Sequence, residues 1–373
     1  VALSPSMSLP SELKGDVVTI DEPLPNDDEL KAIIIQAHKD SGLKEPKGAA
    51  LMKEVDAIAG LAAFPAETSV AMALTPNGID LELLGEQKRT QVNNIPGAEL
   101  YGGKETFKDV VGCGNMVDML NQLLSNDRER FRLIFFMDEV EKMVAGTGDT
   151  SGVSQAMAEQ FLTWSQNSRA LGITEVGIPG AGKSLVAKAA AGQFGLPCLM
   201  ASLSKVKGSL VGESERNAVQ LFKTADALAA GGRILMVATC NQVASLTPEL
   251  QARFRIGTYF FDYPDAIQRK ALWKFYRERY NIADDNIPDS TNWVGREIEA
   301  CCELAYLLSV PLKKAASRIV PVCTAKRSEM EALRRESSGR FVSADYDGIF
   351  EYKGAQTTVP LAGQTGGRAV SVN

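Results

Sequence analysis

Histidine is nearly absent, with one residue, His38, in 373. That scarcity excludes Ser–His and Cys–His nucleophilic catalysis and histidine-rich metal centres. His38 stands near the end of a helical pattern and reads as a cap or an internally satisfied side chain rather than a catalyst. Cysteines 113, 198, 240, 301, 302 and 323 form no CxxC pair, and several lie in apolar runs, as expected of buried thiols in a reducing compartment. No apolar run has the length of a membrane span and no stretch reads as a signal peptide, so no membrane partner is expected. Basic excess is missing too: the net charge is −6 and the pI about 5.2, which argues against non-specific nucleic-acid binding while leaving a local basic patch open. The chain opens Val1-Ala2-Leu3 without Met, in what reads as mid-strand, so preceding residues are expected to be missing. Hydrophobic content of 45% and charged content of 23% describe an ordinary globular protein, long enough for two or three domains.

One stretch organises the rest. Gly177-Ile178-Pro179-Gly180-Ala181-Gly182-Lys183-Ser184 follows the apolar run Ile173 to Val176 and opens into the helical pattern from Leu185. Strand, glycine loop and helix start are the context that GxxxxGK[ST] requires. Glycines let backbone N–H groups gather on an anion, and the helix start adds partial positive charge. Residues 179–185 (Pro179, Gly180, Ala181, Gly182, Lys183, Ser184, Leu185) are the expected phosphate cradle, with Lys183 on the β- and γ-phosphates and Ser184 on Mg²⁺. The alternative is a flexible turn with a solvated lysine.

Two further apolar runs end in polar groups. Arg132 to Met137 leads into Asp138 and Glu139, where doubly wound sheets bind ligands at strand C-terminal ends. Asp138 is expected to hold Mg²⁺ through water, and Glu139 to polarise an attacking water; a plain carboxylate pair at a strand-to-helix turn is the bland alternative. Ile234 to Cys240 leads into Asn241, whose amide suits orientation of that water.

The remaining pattern gives the layout. Residues 1–103 read as a small αβ or mainly helical N-terminal domain and linker: strands at 1–4 and 17–20, a helix whose N-cap and acidic first turn lie within Leu24 to Leu30 and which runs to about Lys39, and helices near 47–60, 66–74 and 79–93. Asn93 to Gly97 and Gly102-Gly103 read as the linker, followed by a nucleotide domain at 104–262 and an all-helical lid at 263–345. In the lid, Pro311 is expected at a helix N1 position, opening a segment to about Val320, and Ser328 to Glu331 has capping-box spacing. The lid's Lys and Arg residues read as solvated helix faces. Residues 346–373 read as a flexible tail or an arm on a neighbour. The expected fold class is α/β, a doubly wound parallel sheet with that lid and N-terminal domain.

Taken together, the phosphate loop, Phe135-Phe136-Met137-Asp138-Glu139, Ala238-Thr239-Cys240-Asn241 and Pro248 to Phe254 resemble an AAA+ ATPase. The resemblance implies an ATP- and Mg²⁺-dependent hydrolase, a ring or helical homo-oligomer most simply of six, with Arg253 acting in trans at the neighbour's site. The second arginine finger usual in the superfamily has no match, since Gln251 and Ala252 stand there; Arg255 is a substitute. Asp109-Val110-Val111-Gly112 matches the segment that wraps adenine, so Val111 and Gly112 are implied contacts. Gly295 to Glu299 matches the lid helix near sensor 2, leaving Arg296 either a phosphate sensor or surface charge. Ser209 to Glu215 resembles a first pore loop, with Leu210 where an aromatic residue usually grips a protein substrate; 145–152 falls where a second would lie. Val1 to Pro5, Val18 to Pro25, Phe161 to Trp164 and Leu210 to Glu215 resemble, more narrowly, the plastid and cyanobacterial AAA+ family called hypothetical chloroplast reading frame forty-six, over about residues 1–345. That implies a cytoplasmic or plastid-stroma location.

One departure is large. The superfamily's phosphate loop precedes its hydrolysis strand, yet here Asp138 precedes Lys183. In the usual order residues 132–167 would fall between Ala230 and Gly231. Each βα unit of a doubly wound sheet begins and ends at one sheet edge, so a permuted unit crosses nothing and can build the same site. Segments joined in another order are the alternative. Two functions follow: an ATP-hydrolysing machine that remodels a protein partner, or a nucleotide-gated oligomeric scaffold with slow turnover. A DNA-handling role is disfavoured by the acidic charge.

Overall fold

The computed structural model describes residues 24–126, 130–141, 153–206, 213–229, 231–352 and 354. The strands expected at 1–4 and 17–20, the pore-loop position Leu210, the loop 145–152 and residues 355–373 lie outside them.

The N-terminal helices begin as their caps dictate. Asn26 accepts from the N–H groups of Asp28 and Glu29, Glu29 accepts in return from the Asn26 N–H, and α1 (Asp27–Asp40) follows. Helices α2 (Ala49–Ile58), α3 (Ala63–Ala73) and α4 (Leu81–Asn93) bury Leu30, Ile34, Val55, Ile58, Val70 and Leu84 in a cluster of their own, with the short hairpin β1 (Leu74–Thr75) and β2 (Gly78–Ile79) between the last two. His38 is buried there, its ring nitrogens 3.0 Å from Lys44 O and 3.1 Å from Glu54 Oε2. It is a satisfied interior side chain.

The stretch between the expected linker glycines forms a strand, β3 (Ala98–Tyr101), which joins the main sheet antiparallel at its edge. The rest of the sheet comes from β4 (Phe131–Asp138), β5 (Ala170–Gly177), β6 (Cys198–Ser202), β7 (Arg233–Cys240), β8 (Gly257–Phe261) and the short β9 (Val342–Ser343). Its seven strands run in the order β3-β6-β4-β7-β5-β8-β9, and every pairing after the first is parallel. Apolar clusters cover both faces. One holds Phe135, Phe161, Phe222 and Met236; the other holds Phe136, Ile173, Val186 and Leu235. Alternate residues of β4 thus enter opposite cores, as the period of two requires. The expected α/β, doubly wound parallel sheet is present, with β3 added as an antiparallel edge strand.

The displaced block is fully integrated. β4 lies between β6 and β7, and α6 (Val153–Asn167) packs on α9 (Glu213–Ala229), reached through α7 (Lys183–Phe194) and the short α8 (Leu203–Val206). Trp164 of α6 stacks on Phe222 of α9 at 4.9 Å, and Phe161 stacks on Phe254 at 6.1 Å. Helix α5 (Gly114–Leu124) precedes β4 in the chain and packs against α7.

Beyond β7, α10 (Pro248–Gln251) leads to β8, and the helices α11 (Ala266–Arg279), α12 (Gly295–Leu308) and α13 (Leu312–Ala316) enclose a separate cluster of Trp273, Trp293, Ile298, Cys301 and Leu312. Pro311 is the N-cap of α13 rather than its first turn, and that helix ends at Ala316, short of Val320. After α14 (Val322–Ala325) comes α15 (Arg327–Ser337), whose N-cap is Lys326 without a side-chain cap bond; the capping box expected at Ser328 to Glu331 does not form. The chain then returns to the sheet as β9, and Phe350 is buried with its ring 4.2 Å from that of Phe260. The part of the expected tail from 346 to 352 therefore belongs to the folded body, because Phe350 closes the apolar face of β8. Cys113, Cys198, Cys240, Cys301 and Cys302 are buried free thiols, as expected.

Candidate functional site

The C-terminal ends of β4, β5 and β7 open onto one cleft of about 1000 Å³. Residues 179–185, Val111, Gly112, Asp138, Glu139, Asn241 and Arg296 all line it, so thirteen of the fourteen residues singled out for chemistry converge there. Arg253 does not line it: half-buried, it donates through Nη2 to Gln166 Oε1 at 3.3 Å. Arg255 is exposed.

Backbone geometry shapes the loop. Gly177 has φ +150°, and a Cβ there would fall 2.1 Å from Phe261 O, so only glycine fits. The Ile178 N–H donates to that same Phe261 carbonyl at 2.9 Å, tying the loop to β8. Gly180 and Gly182 take φ +87° and +101° before α7 begins at Lys183. Among the described residues, the N–H groups of Gly180, Gly182, Lys183 and Ser184 make no hydrogen bond. Unpaired donors at a helix N-terminus lining a cleft fit a phosphate chain. The Lys183 ammonium is buried and donates to Gly177 O at 2.8 Å and Ile178 O at 3.1 Å. Burial lowers its pKa to about 8, against the pull of Glu175, Glu141 and Asp138. Arg296 reaches the same loop from the start of α12: a Cβ on Gly180 would be 3.2 Å from Arg296 Cβ and 3.7 Å from its Nε.

The acidic side is stitched to β7. Thr239 Oγ1 donates to Asp138 Oδ1 at 2.6 Å and accepts from the Glu139 N–H at 2.9 Å. The Val140 N–H donates to Thr239 O at 2.9 Å, and the Asn241 N–H to Glu141 Oε1 at 3.2 Å. Glu139 has φ +52°, the left-handed region that a non-glycine residue rarely enters. The contacts on either side of it hold that conformation. Exposed Asp138 and the Ser184 hydroxyl at the mouth of the loop are oxygen donors of the type Mg²⁺ takes, and residues of both signs face the same space.

Several residues here escape a reading of the sequence alone. Thr239, buried and bridging both carboxylate positions, is one. Glu141, buried and with Oε2 unpartnered among the described residues, is another; its spacing after Glu139 is the signal it gives. Glu175 is the most unusual. It is fully buried in β5, neither carboxylate oxygen has a hydrogen-bond partner among the described residues, and burial pushes its pKa well up. Gln268 and Asp345, far apart in sequence, line the same cleft.

Comparison with known proteins agrees with the phosphate loop. Residues 173–236 match the family described as ATPase family associated with various cellular activities (AAA). The matched segment starts in β5 and ends in β7, without Asp138 and Glu139, which precede it here. The chain is 24% identical over 317 residues to an uncharacterized AAA domain-containing protein ycf46 of Gracilaria tenuistipitata var. liui, covering 74% of this chain and 58% of that protein. The ycf46 proteins of Guillardia theta and Pyropia yezoensis are 21% and 23% identical, over 89% and 90% of this chain and 71% and 73% of theirs. A solved structure, that of the FIGL-1 AAA domain, overlaps 59% of this chain and 94% of its own at 13% identity, with a TM-score of 0.35. The AAA match is confined to residues 173–236, while the similarity to the ycf46 AAA domain-containing proteins runs through most of this chain and spans 58% of the Gracilaria protein.

Proposed function

We propose that the chain binds ATP with Mg²⁺ in this cleft and hydrolyses it as a homo-oligomer that remodels a protein partner. The observation that carries the reading is the meeting of unpaired loop N–H groups and Lys183 with the Thr239-bridged pair Asp138 and Glu139 in one cleft. In this reading the loop donors and Lys183 hold the phosphate chain, and Arg296 neutralises it from the lid side. Ser184 and Asp138 would hold Mg²⁺, which would supply charge to offset the phosphates. Glu139 orients and polarises a water for attack on the terminal phosphorus, with the Asn241 amide as second contact. The work is positioning and charge stabilisation, without a covalent intermediate. Arg253, which does not line its own cleft, is the residue that completes a neighbour's in this reading. Leu210 is the residue proposed to touch the protein partner.

A second reading, a nucleotide-gated scaffold with slow turnover, draws support from the position of the missing second finger. Gln251 spends its side chain on Leu246 O at 2.8 Å, and Ala252 offers no charge. Lys183→Ala and Glu139→Gln test the common premise. Lys183→Ala is expected to lose ATP affinity. Glu139→Gln is expected to keep ATP and lose turnover by on the order of 10²- to 10⁴-fold. Persistent turnover in Glu139→Gln would overturn the hydrolytic assignment, and wild-type affinity in Lys183→Ala the phosphate-loop assignment.

A further inference from the structure

Part of the cleft lining differs in character from the phosphate loop. Val111, Leu272 and Tyr276 give it apolar walls, and Gln268 and Asp345 give it a polar edge. Flat apolar surfaces with a few polar contacts suit a purine, so this part of the lining is where the base of a nucleotide held by residues 180–184 would fit. Gln268 is locked in one sense. Its Oε1 accepts from the Asp265 N–H at 2.9 Å in the cap of α11, so its Nε2 is the outward donor, bonded to Asp345 Oδ1 at 2.7 Å. The Cys113 N–H donates to the same oxygen at 2.9 Å. A Cβ on Gly112 would be 3.3 Å from Gln268 Nε2 and 3.5 Å from Asp345 Oδ1, which places this pair against the Val111–Gly112 wall.

Asp345 therefore carries two donors on one oxygen and none on the other among the described residues, and no cation pairs with it there. Its charged neighbours are acids, Asp262 and Asp265. We propose that Asp345 reads the base: with Oδ1 held by Gln268 and Cys113, its Oδ2 accepts the exocyclic amino N–H of adenine and rejects the O6 carbonyl of guanine. This rests on the phosphate-loop reading above. The division of labour between the two oxygens favours adenine. Guanine offers a carboxylate two parallel donors, N1–H and N2–H, which call for both oxygens. Adenine offers one amino group, which calls for the single oxygen left.

The same lock makes a sharp prediction for Asp345→Asn. The side-chain oxygen must stay on the two donors, so the new NH₂ faces the cleft and the edge changes from acceptor to donor. ATP and GTP affinities, measured by calorimetry for wild type, Asp345→Asn and Lys183→Ala, test it. Wild type is expected to prefer ATP, and Asp345→Asn to shift the ATP-to-GTP ratio toward GTP by on the order of 10- to 100-fold. Lys183→Ala is expected to weaken both nucleotides alike. If Asp345→Asn weakens both alike or neither, while Lys183→Ala weakens both, Asp345 acts on the ribose or the fold and the inference fails with the phosphate reading intact. If Lys183→Ala binds both as wild type does, the phosphate reading fails first. A wild type that prefers GTP also overturns the inference.

Discussion

Thr239 and Asp138, 101 residues apart in the chain, meet through a 2.6 Å hydrogen bond at the ends of neighbouring parallel strands. The same hydroxyl accepts from the Glu139 N–H, so one oxygen holds the backbone and side chain of the acidic pair together. Thr239→Val keeps the shape and removes both bonds. Unfolding free energy, read by urea titration, should fall by about 1–3 kcal/mol. Turnover should fall further than ATP affinity, because the pair loses its orientation and the phosphate loop does not. A folded Thr239→Val with wild-type turnover would show that the bridge is structural alone.

In the proposed oligomer Arg253 acts on a neighbour. ATPase rate per subunit should climb through an assembly threshold as protein concentration rises, and Arg253→Ala should flatten the curve by on the order of 10³-fold or more. Turnover near zero at every concentration, with ATP bound, would favour the scaffold.

Glu175 contributes a pH-dependent instability. Its pKa in the fold lies well above the ordinary 4.5, so the folded state holds a proton that the unfolded state releases. Stability tied to Glu175 is fully present below that ordinary value and is lost as pH rises through the folded pKa. Glu175→Leu, removing the unpartnered carboxyl, should raise unfolding free energy at neutral pH by about 1–4 kcal/mol. The gain over wild type should be smaller at about pH 5 than at about pH 8. An equal gain at both would mean that Glu175 keeps one protonation state throughout.

The unusual order of the sheet elements has a direct chemical check. Trypsin should release Met143 to Arg169 as one peptide ending Ser-Gln-Asn-Ser-Arg. A peptide running from Trp164-Ser165-Gln166-Asn167 into a Gly-Gly-Arg end would instead show the segments joined in the other order.

What could be seen in the sequence was whatever is local. The phosphate loop is legible because its chemistry is contiguous: glycines, lysine and serine act within eight positions. The carboxylates and Asn241 are legible because each ends an apolar run at a strand terminus. Thr239 was not, because its role is defined by a partner on another strand. Glu175 sits inside a run that passes for apolar, and only the packed sheet shows its burial. Asp345 and Gln268 gain meaning only when the chain returns beside α11, which no periodicity announces. Ser328 has the right spacing for a cap, but the helix starts one residue earlier and leaves it in the first turn. Phe350 lies in a polar stretch, so the tail reading missed its place against Phe260.

The position of β4 between β6 and β7 bears on how the chain is made. As synthesis proceeds from the N-terminus, this interior strand emerges before either neighbour, and its second neighbour is complete only at Cys240. Until then its Phe135 and Phe136, bound for opposite cores, have no finished layer to enter. Pairings that distant favour slow folding and expose a sticky strand in the interval. A nascent chain stalled before β7 should therefore be a substrate for chaperones in a way that a ribosome-released one is not.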